Sequence, residues 1–313
     1  MKQSLQEFNF NFLNDLRNLH WRQWAALGVA AHIEPENEAV IDIEALIVST
    51  FVILKLDIRL FESMLEWVNR YKDFVMVARI NRIAGEFSKR TIGKNLRLID
   101  EDKADLLKQI KKYREFYKGL REDYPKDLET VDIDYVKDNL FRGKKIISQP
   151  DFSNSSALHL KLRSFTGTDT RADVLFYLLL SDEGNSYSIA KEIFHDQKNV
   201  YRILEQWSDA GMVTKIEEAR KNRYLLNNKN EWLKLFGYTS FPKYVNWTRV
   251  FLLYNTIAKA LVTEPWRNDE YLMTSLLNDL ENEIKAVEVM GGEVRKIRNM
   301  QHCMYSFWGK EVV

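Results

Sequence analysis

The sequence predicts a mainly α protein in which one small β-hairpin lies between two helical regions. Long segments repeat their apolar residues at spacings of three and four, which is the period of an amphipathic helix. The 313 residues include only 5 Pro and 12 Gly, fewer than average usage gives, so few positions interrupt a helix. Strand patterns are short and stand close together, at residues 214–217 and 223–226. We therefore expect helices to dominate and a single hairpin to stand between them.

The chain is long enough for two or three folding units. Its 313 residues exceed the roughly 100 to 200 residues of a typical domain. Residues 148–156, SQPDFSNSS, are polar and rich in turn formers, and they form the clearest linker in the chain. We predict an N-terminal helical region at 1–150, a central unit at 156–228 and a C-terminal helical region at 229–313.

Composition excludes several classes of protein. The 46 basic and 45 acidic residues leave a net charge of +1, so any affinity for nucleic acid must come from a local patch. Cys303 is the only cysteine, which excludes an internal disulfide and fits a reducing cytoplasm. The first residues show no signal-peptide pattern, and the most apolar stretch, 45–54, is about half the length of a membrane span. We expect a cytoplasmic protein that does not enter a membrane.

Motifs for catalysis are not found. The five histidines are widely separated, and none has the HExxH spacing of a zinc site. The sequence contains no P-loop, no GxGxxG and no GxSxG, and an SxxK match at 188–191 lacks the partner motifs that it needs. We therefore expect a protein that is not an enzyme and that has no catalytic residue, no metal site and no cofactor.

The N-terminal region is predicted to consist of helices with recognisable ends. The first helix ends at Gly28, a typical C-terminal capping residue. A nearly all-apolar helix within residues 41–56 is followed by Asp57, which is placed to cap a helix at 58–71. A shorter helix at about 77–87 completes this region.

The central unit has the spacing of a helix-turn-helix. In such a unit, a small residue of the first helix packs against the apolar face of the second helix across a short turn. Ala190 is the small residue, Ile193 follows three positions later, and Val200 and Leu204 follow ten and fourteen positions later. Asp196 is placed to cap the second helix. A supporting helix at 172–180 precedes the pair. Gly211 lies between the second helix of the pair and the predicted hairpin.

Residues 171–226 resemble bacterial winged helix-turn-helix regulators of the MarR and ArsR type. The segments that carry the resemblance are SIAKEIF, NVYRILEQWSDAGMV and EEARKNRYLL. The sequence departs from that pattern at two positions. Phe194 occupies the turn position usually held by Gly, and His195 replaces the usual apolar residue of the turn. We expect a turn wider than usual.

The resemblance implies that the helix beginning at Gln197 enters the major groove of double-stranded DNA and that the hairpin tip contacts the backbone or the minor groove. For Ser188, a phosphate contact and an N-cap are alternatives, and for Tyr201 a phosphate contact competes with partial burial. The implied DNA-binding residues are Ser188, Gln197, Lys198, Asn199, Tyr201, Arg202, Arg220, Lys221 and Arg223.

The sequence therefore predicts a sequence-specific DNA-binding transcriptional regulator, in the first instance a repressor, that forms a homodimer. A helix from about 269 to 290 carries an apolar stripe, Leu272, Leu276, Leu277, Leu280 and Ile284, which is either core or a dimer face. The basic and acidic residues of the motif are nearly equal in number, so a protein-protein interaction module remains an alternative. A further alternative is an antitoxin-like protein whose partner is encoded nearby.

Overall fold

The computed structural model describes residues 4–54, 56–92, 96–97, 147–218 and 221–289, and these residues are mainly helical. The helices are α1 Leu5–Ala26, α2 Ile43–Val52, α3 Ile58–Arg70, α4 Val77–Lys89, α5 Leu158–Thr166, α6 Thr170–Leu180, α7 Ser186–Glu192, α8 Gln197–Asp209, α9 Lys229–Leu235, α10 Trp247–Leu261, α11 Glu270–Asp279 and α12 Glu281–Val289. The mainly α prediction is confirmed.

The described strands form two antiparallel pairs. Strand β1 (Thr91–Ile92) pairs with β2 (Leu96–Arg97), a short hairpin that the sequence analysis did not predict. Strand β3 (Val213–Ile216) pairs with β4 (Arg223–Leu226), and Val213 lies opposite Leu226. The second pair confirms the predicted hairpin: β4 has the predicted bounds, and β3 begins and ends one residue earlier than predicted.

Several helix ends lie where the sequence placed them. Asp57 caps α3 by accepting a hydrogen bond from the Arg59 amide at 3.1 Å, and Asp196 caps α8 through the Asn199 amide at 3.1 Å. Gly28, just beyond α1, adopts a left-handed φ of +94°. A Cβ at that position would lie 2.4 Å from the Ser148 carbonyl oxygen, so only glycine fits there.

One apolar core joins the N-terminal and C-terminal helices. Buried side chains of α1 to α4 pack with buried side chains of α10 to α12, and α10 contacts α2 directly. We call this assembly the helical body. A second core is formed by α6 to α9 and by the β3–β4 hairpin. Helix α5 contributes Leu160 to the first core and Leu158 and Leu162 to the second, so it lies between the two.

The C-terminal region differs from its prediction. Instead of one helix from 269 to about 290, the structure has α11 and α12, with Leu280 as the C-cap of α11, and residue 290 lies outside the described residues. Within the predicted stripe Leu276, Leu277, Leu280 and Ile284 are buried in the helical body. The stripe is therefore core and not a free dimer face. The predicted boundaries at 150, 156 and 229 stay a prediction.

Candidate nucleic-acid interface

Helices α7 and α8 pack through the four positions that the sequence spacing selected. Ala190, Ile193, Val200 and Leu204 are all buried, at 4% exposure or less, within the second core. Helix α6, which corresponds to the predicted supporting helix at 172–180, lies against α8. The predicted register of this helix pair is therefore confirmed by the burial of its side chains.

The turn between α7 and α8 is tight, although it contains no glycine. Phe194 adopts a left-handed φ of +58°, a conformation that costs a residue other than glycine about 1 kcal/mol or more. The amide of His195 then donates to the Ala190 carbonyl at 2.9 Å, which closes the turn. The side chain of Phe194 packs partly into the helical body. The expectation of a wider turn was wrong, because these contacts hold Phe194 in the conformation that glycine usually supplies.

One face of α8 is exposed and polar. Gln197, Lys198, Asn199, Tyr201 and Arg202 are all exposed, and Tyr201 keeps 46% of its surface accessible. The opposite face contributes Val200, Ile203, Leu204 and Trp207 to the second core. The helix therefore presents amide, ammonium, guanidinium and phenol groups together on its outer side.

Ion pairs within the chain engage part of the charge around this face. Lys215 of β3 pairs with Glu205 of α8 at 3.1 Å, and the guanidinium of Arg223 bonds to Glu183 and Glu218. The Tyr224 hydroxyl donates to Glu205 at 2.5 Å, and burial together with this carboxylate raises the pKa of Tyr224. Arg223 is thus already engaged by two carboxylates.

The remaining residues selected from the sequence have different surroundings. Lys198, Arg202 and Lys221 are exposed, and no ion pair engages them within the described ranges. The Ser188 hydroxyl accepts from the Asn185 amide at 3.1 Å and donates to the Asn185 carbonyl at 3.0 Å, so it belongs to the capping box of α7. Arg220 lies outside the described residues.

Gly184 connects the hairpin to α7, a contact that the sequence analysis missed. Its amide donates to the Tyr224 carbonyl at 3.1 Å, and the Tyr224 amide donates back at 2.8 Å. A Cβ on Gly184 would lie 2.7 Å from the Ile189 side chain. The signal that was available is a glycine between a helix and the start of the next one, because close backbone approach favours glycine.

Behind the turn lies a buried ionic cluster, which the sequence analysis also missed. Arg79 of α4 bonds to Asp42 at 2.5 Å and to Glu44 at 2.7 Å, and Arg163 of α5 bonds to Glu44 at 2.6 Å and to Asp173 of α6 at 3.0 Å. These five side chains are nearly inaccessible to solvent. Three carboxylates face two guanidiniums, and each charged group has at least one partner of opposite charge, as buried charges require. The cluster therefore joins both cores.

Asp173 also links the cluster to the turn. Its two carboxylate oxygens lie 2.6 Å from Nε2 of His159 and 2.6 Å from Nε2 of His195. Burial by itself raises the pKa of Asp173, but Arg163 and the two histidines outweigh that effect and hold the pKa well below its ordinary value. Asp173 is therefore a carboxylate whose hydrogen bond holds the side chain of the turn residue His195.

The cluster borders a narrow cleft lined by Phe176, Glu192, Tyr244 and Asn246. Nδ1 of His159, which also lines the cleft, has no hydrogen-bond partner among the described residues. Burial and the nearby Glu192 carboxylate raise the pKa of Tyr244 well above its ordinary value, so this phenol stays protonated and donates to Glu192 at 3.2 Å.

Neither a cluster of metal ligands nor a membrane-spanning helix occurs among the described residues. No three histidine, cysteine or acidic side chains of the described ranges come together as metal ligands do. Among the same residues, no helix combines the length and the apolar character needed to cross a membrane.

Comparison with known proteins gives no relative. No protein-family model, no curated protein and no solved structure matches this chain.

Proposed function

We propose that this chain is a sequence-specific DNA-binding protein that uses residues 171–226 as a winged helix-turn-helix and regulates transcription, in the first instance as a repressor. The observation that carries the proposal is the polar outer face of α8, with five exposed side chains that include Lys198 and Arg202. An α-helix fits the major groove, where such side chains contact base edges.

The order of elements supports the proposal. Helix α6, the bridged residue Gly184, helices α7 and α8, and the β3–β4 hairpin follow one another and share one core. In a winged helix the second helix of the pair enters the major groove and the hairpin lies beside it.

The exposed side chains divide by chemistry. Asn and Gln form paired hydrogen bonds with adenine, and Arg and Lys do so with guanine. We assign Gln197, Asn199 and Arg202 to base edges, and Lys198 to a base edge or a phosphate. Lys221, with Arg220, is assigned to the backbone beside the hairpin. Arg223 and Ser188 are engaged within the chain and are assigned supporting roles.

Salt dependence tests the proposal. Two exposed cations that are unpaired within the described ranges and are placed to contact phosphates, Lys198 and Lys221, give a slope of log affinity against log salt of about −1.8 for one chain. Affinity then falls roughly 12-fold between about 50 and 200 mM salt, and a two-fold symmetric dimer doubles the slope. Fluorescence anisotropy of a labelled duplex measures the slope. A value twice that of one chain would support the proposed homodimer.

The matched variants sharpen this titration. Lys221→Ala, which removes a cation assigned to the backbone, should reduce the magnitude of the slope by about 0.9 per chain. Lys234→Ala, which removes an exposed cation of α9 that is paired with Glu231, should leave the slope unchanged. Binding that does not respond to salt, or no binding at about 50 mM, would contradict the proposal.

A second candidate is a protein-interaction module, such as an antitoxin-like partner. It is favoured by the pairing of Arg223 and Lys215 with carboxylates, which leaves the hairpin with less free positive charge. Tyr187 and Tyr201, 58% and 46% exposed, add aromatic surface of the kind that is enriched in protein interfaces. No DNA retention at low salt, together with a stoichiometric co-purifying protein, would favour this candidate.

A further inference from the structure

The turn between α7 and α8 is held from two sides by the helical body. On one side, Nε of Arg79 donates to the Ile193 carbonyl at 2.9 Å, and Arg82 donates to the Phe194 carbonyl at 3.3 Å. Both arginines belong to α4. The turn that sets the direction of α8 is therefore attached to a helix that precedes it by more than a hundred residues.

On the other side, the last residue of α7 is bound by the segment that begins α10. Glu192 accepts hydrogen bonds from Asn246 at 2.6 Å, from Tyr244 at 3.2 Å and from Arg249 at 3.1 Å. Its side chain is only 19% exposed. Three donors from one segment therefore converge on a single, largely buried carboxylate.

The segment that binds Glu192 is itself fixed to the helical body. Backbone hydrogen bonds join Lys243 to Glu38 at 3.0 Å and to Val40 at 3.1 Å, and the Trp247 indole donates to the Val40 carbonyl at 2.7 Å. Asn246 caps α10, which packs against α2. Glu192 is thus anchored to α10, a helix of the first core, and through Lys243 to the chain just before α2.

We infer that Glu192 is a positioning residue that fixes the orientation of α8 for base recognition by tying α7 to the helical body. This inference rests on the proposed DNA-binding function. A helix of thirteen residues is about 20 Å long, so a rotation of about 5° at the turn moves its far end by about 1.7 Å. Hydrogen bonds to bases do not survive such a shift, whereas attraction to phosphates does.

The consequence is a loss of specificity without a loss of electrostatic binding. Glu192→Ala should lower the ratio of specific to non-specific affinity by about tenfold or more, which corresponds to about 1.4 kcal/mol. The salt slope should stay unchanged, because Glu192 contacts no phosphate. Removing an acidic charge on electrostatic grounds alone would instead strengthen binding to every sequence.

Three further variants are compared with Glu192→Ala. Glu192→Gln keeps Oε1 as the acceptor for Asn246 and Tyr244 and loses both the charge and the acceptor opposite Arg249. Arg249→Met removes the same pair from its more exposed side, so each variant should lose less than Glu192→Ala. Asp209→Asn, which removes an exposed acidic charge at the end of α8, is the control and should keep the wild-type ratio. Melting temperatures and hydrogen exchange of the 197–209 peptide are measured in parallel, and exchange should rise in Glu192→Ala.

The outcomes separate the two proposals. Wild-type protein that retains no DNA overturns the proposed function and this inference together. If the wild type selects a sequence and the folded Glu192 variants keep the full specificity ratio, this inference alone is overturned. A lower ratio with an unchanged salt slope supports both.

Discussion

His20 should make the stability of the folded chain depend on pH between about 5 and 6.5. The side chain is fully buried, Nδ1 donates to the Leu16 carbonyl at 2.7 Å, and Nε2 lies 2.7 Å from the Ser49 hydroxyl. That hydroxyl accepts from Asn255, so its own proton is free to go to His20. The neutral imidazole therefore satisfies both contacts, whereas a protonated ring would face the Ser49 oxygen with a second proton.

The magnitude follows from the pKa. Burial lowers the pKa of His20 from 6.5 to about 4, and the hydrogen bond to Leu16 opposes this only in part. Below pH 6.5 the unfolded chain takes up a proton that the folded chain excludes, so the contribution to stability is complete above 6.5 and is lost as the pH falls. At about 1.4 kcal/mol per pH unit, the loss between pH 6.5 and 5 is about 2 kcal/mol.

Urea unfolding followed by circular dichroism between pH 7.5 and 5 measures this effect. The free energy of unfolding of His20→Gln should fall by about 2 kcal/mol less than that of the wild type over this range. The other histidines are common to both proteins and cancel in the comparison, and His32→Gln, at an exposed position, is the matched control. Equal pH slopes for wild type and His20→Gln would refute the reasoning.

Two further predictions concern stability. Arg163→Met should destabilise the fold by about 3 kcal/mol or more, because it leaves the buried carboxylates of Glu44 and Asp173 without this partner. A smaller cost in urea unfolding would show that these carboxylates do not depend on Arg163. Gly28→Ala should cost clearly more than Gly211→Ala, because a Cβ meets the Ser148 carbonyl at the first position and nothing within 4 Å at the second. Equal costs by the same measurement would contradict the close approach at Gly28.

Much of the local structure could be predicted, because its causes are local. A helix end depends on a capping side chain within a few residues, which is why Asp57 and Asp196 were identified correctly. The packing of α7 on α8 depends on spacing within fifteen residues, so Ala190 and Leu204 were found in register. The exposed face of α8 follows directly from the same periodicity.

The remaining features depend on contacts between distant residues. Nothing in the sequence near Arg79 shows that its partners are Asp42, Glu44 and a carbonyl at position 193. A charged residue within an apolar helical pattern, such as Asp173 between Ala172 and Val174, was the available signal, because such a side chain must be paired when it is buried. No pattern of neighbouring residues in the sequence indicates the ion pairs of Arg223. The same is true of the core that α1–α4 share with α10–α12.

Selection of genomic fragments by purified protein is the most direct test of the claim that α8 recognises a DNA sequence. Bound fragments are sequenced for the wild type, for Arg202→Ala and for Lys234→Ala. We expect the wild type and Lys234→Ala to enrich one sequence. Arg202→Ala should show a weaker preference at one position of that sequence. Recovery of no fragment, or of fragments without any common sequence, would contradict it.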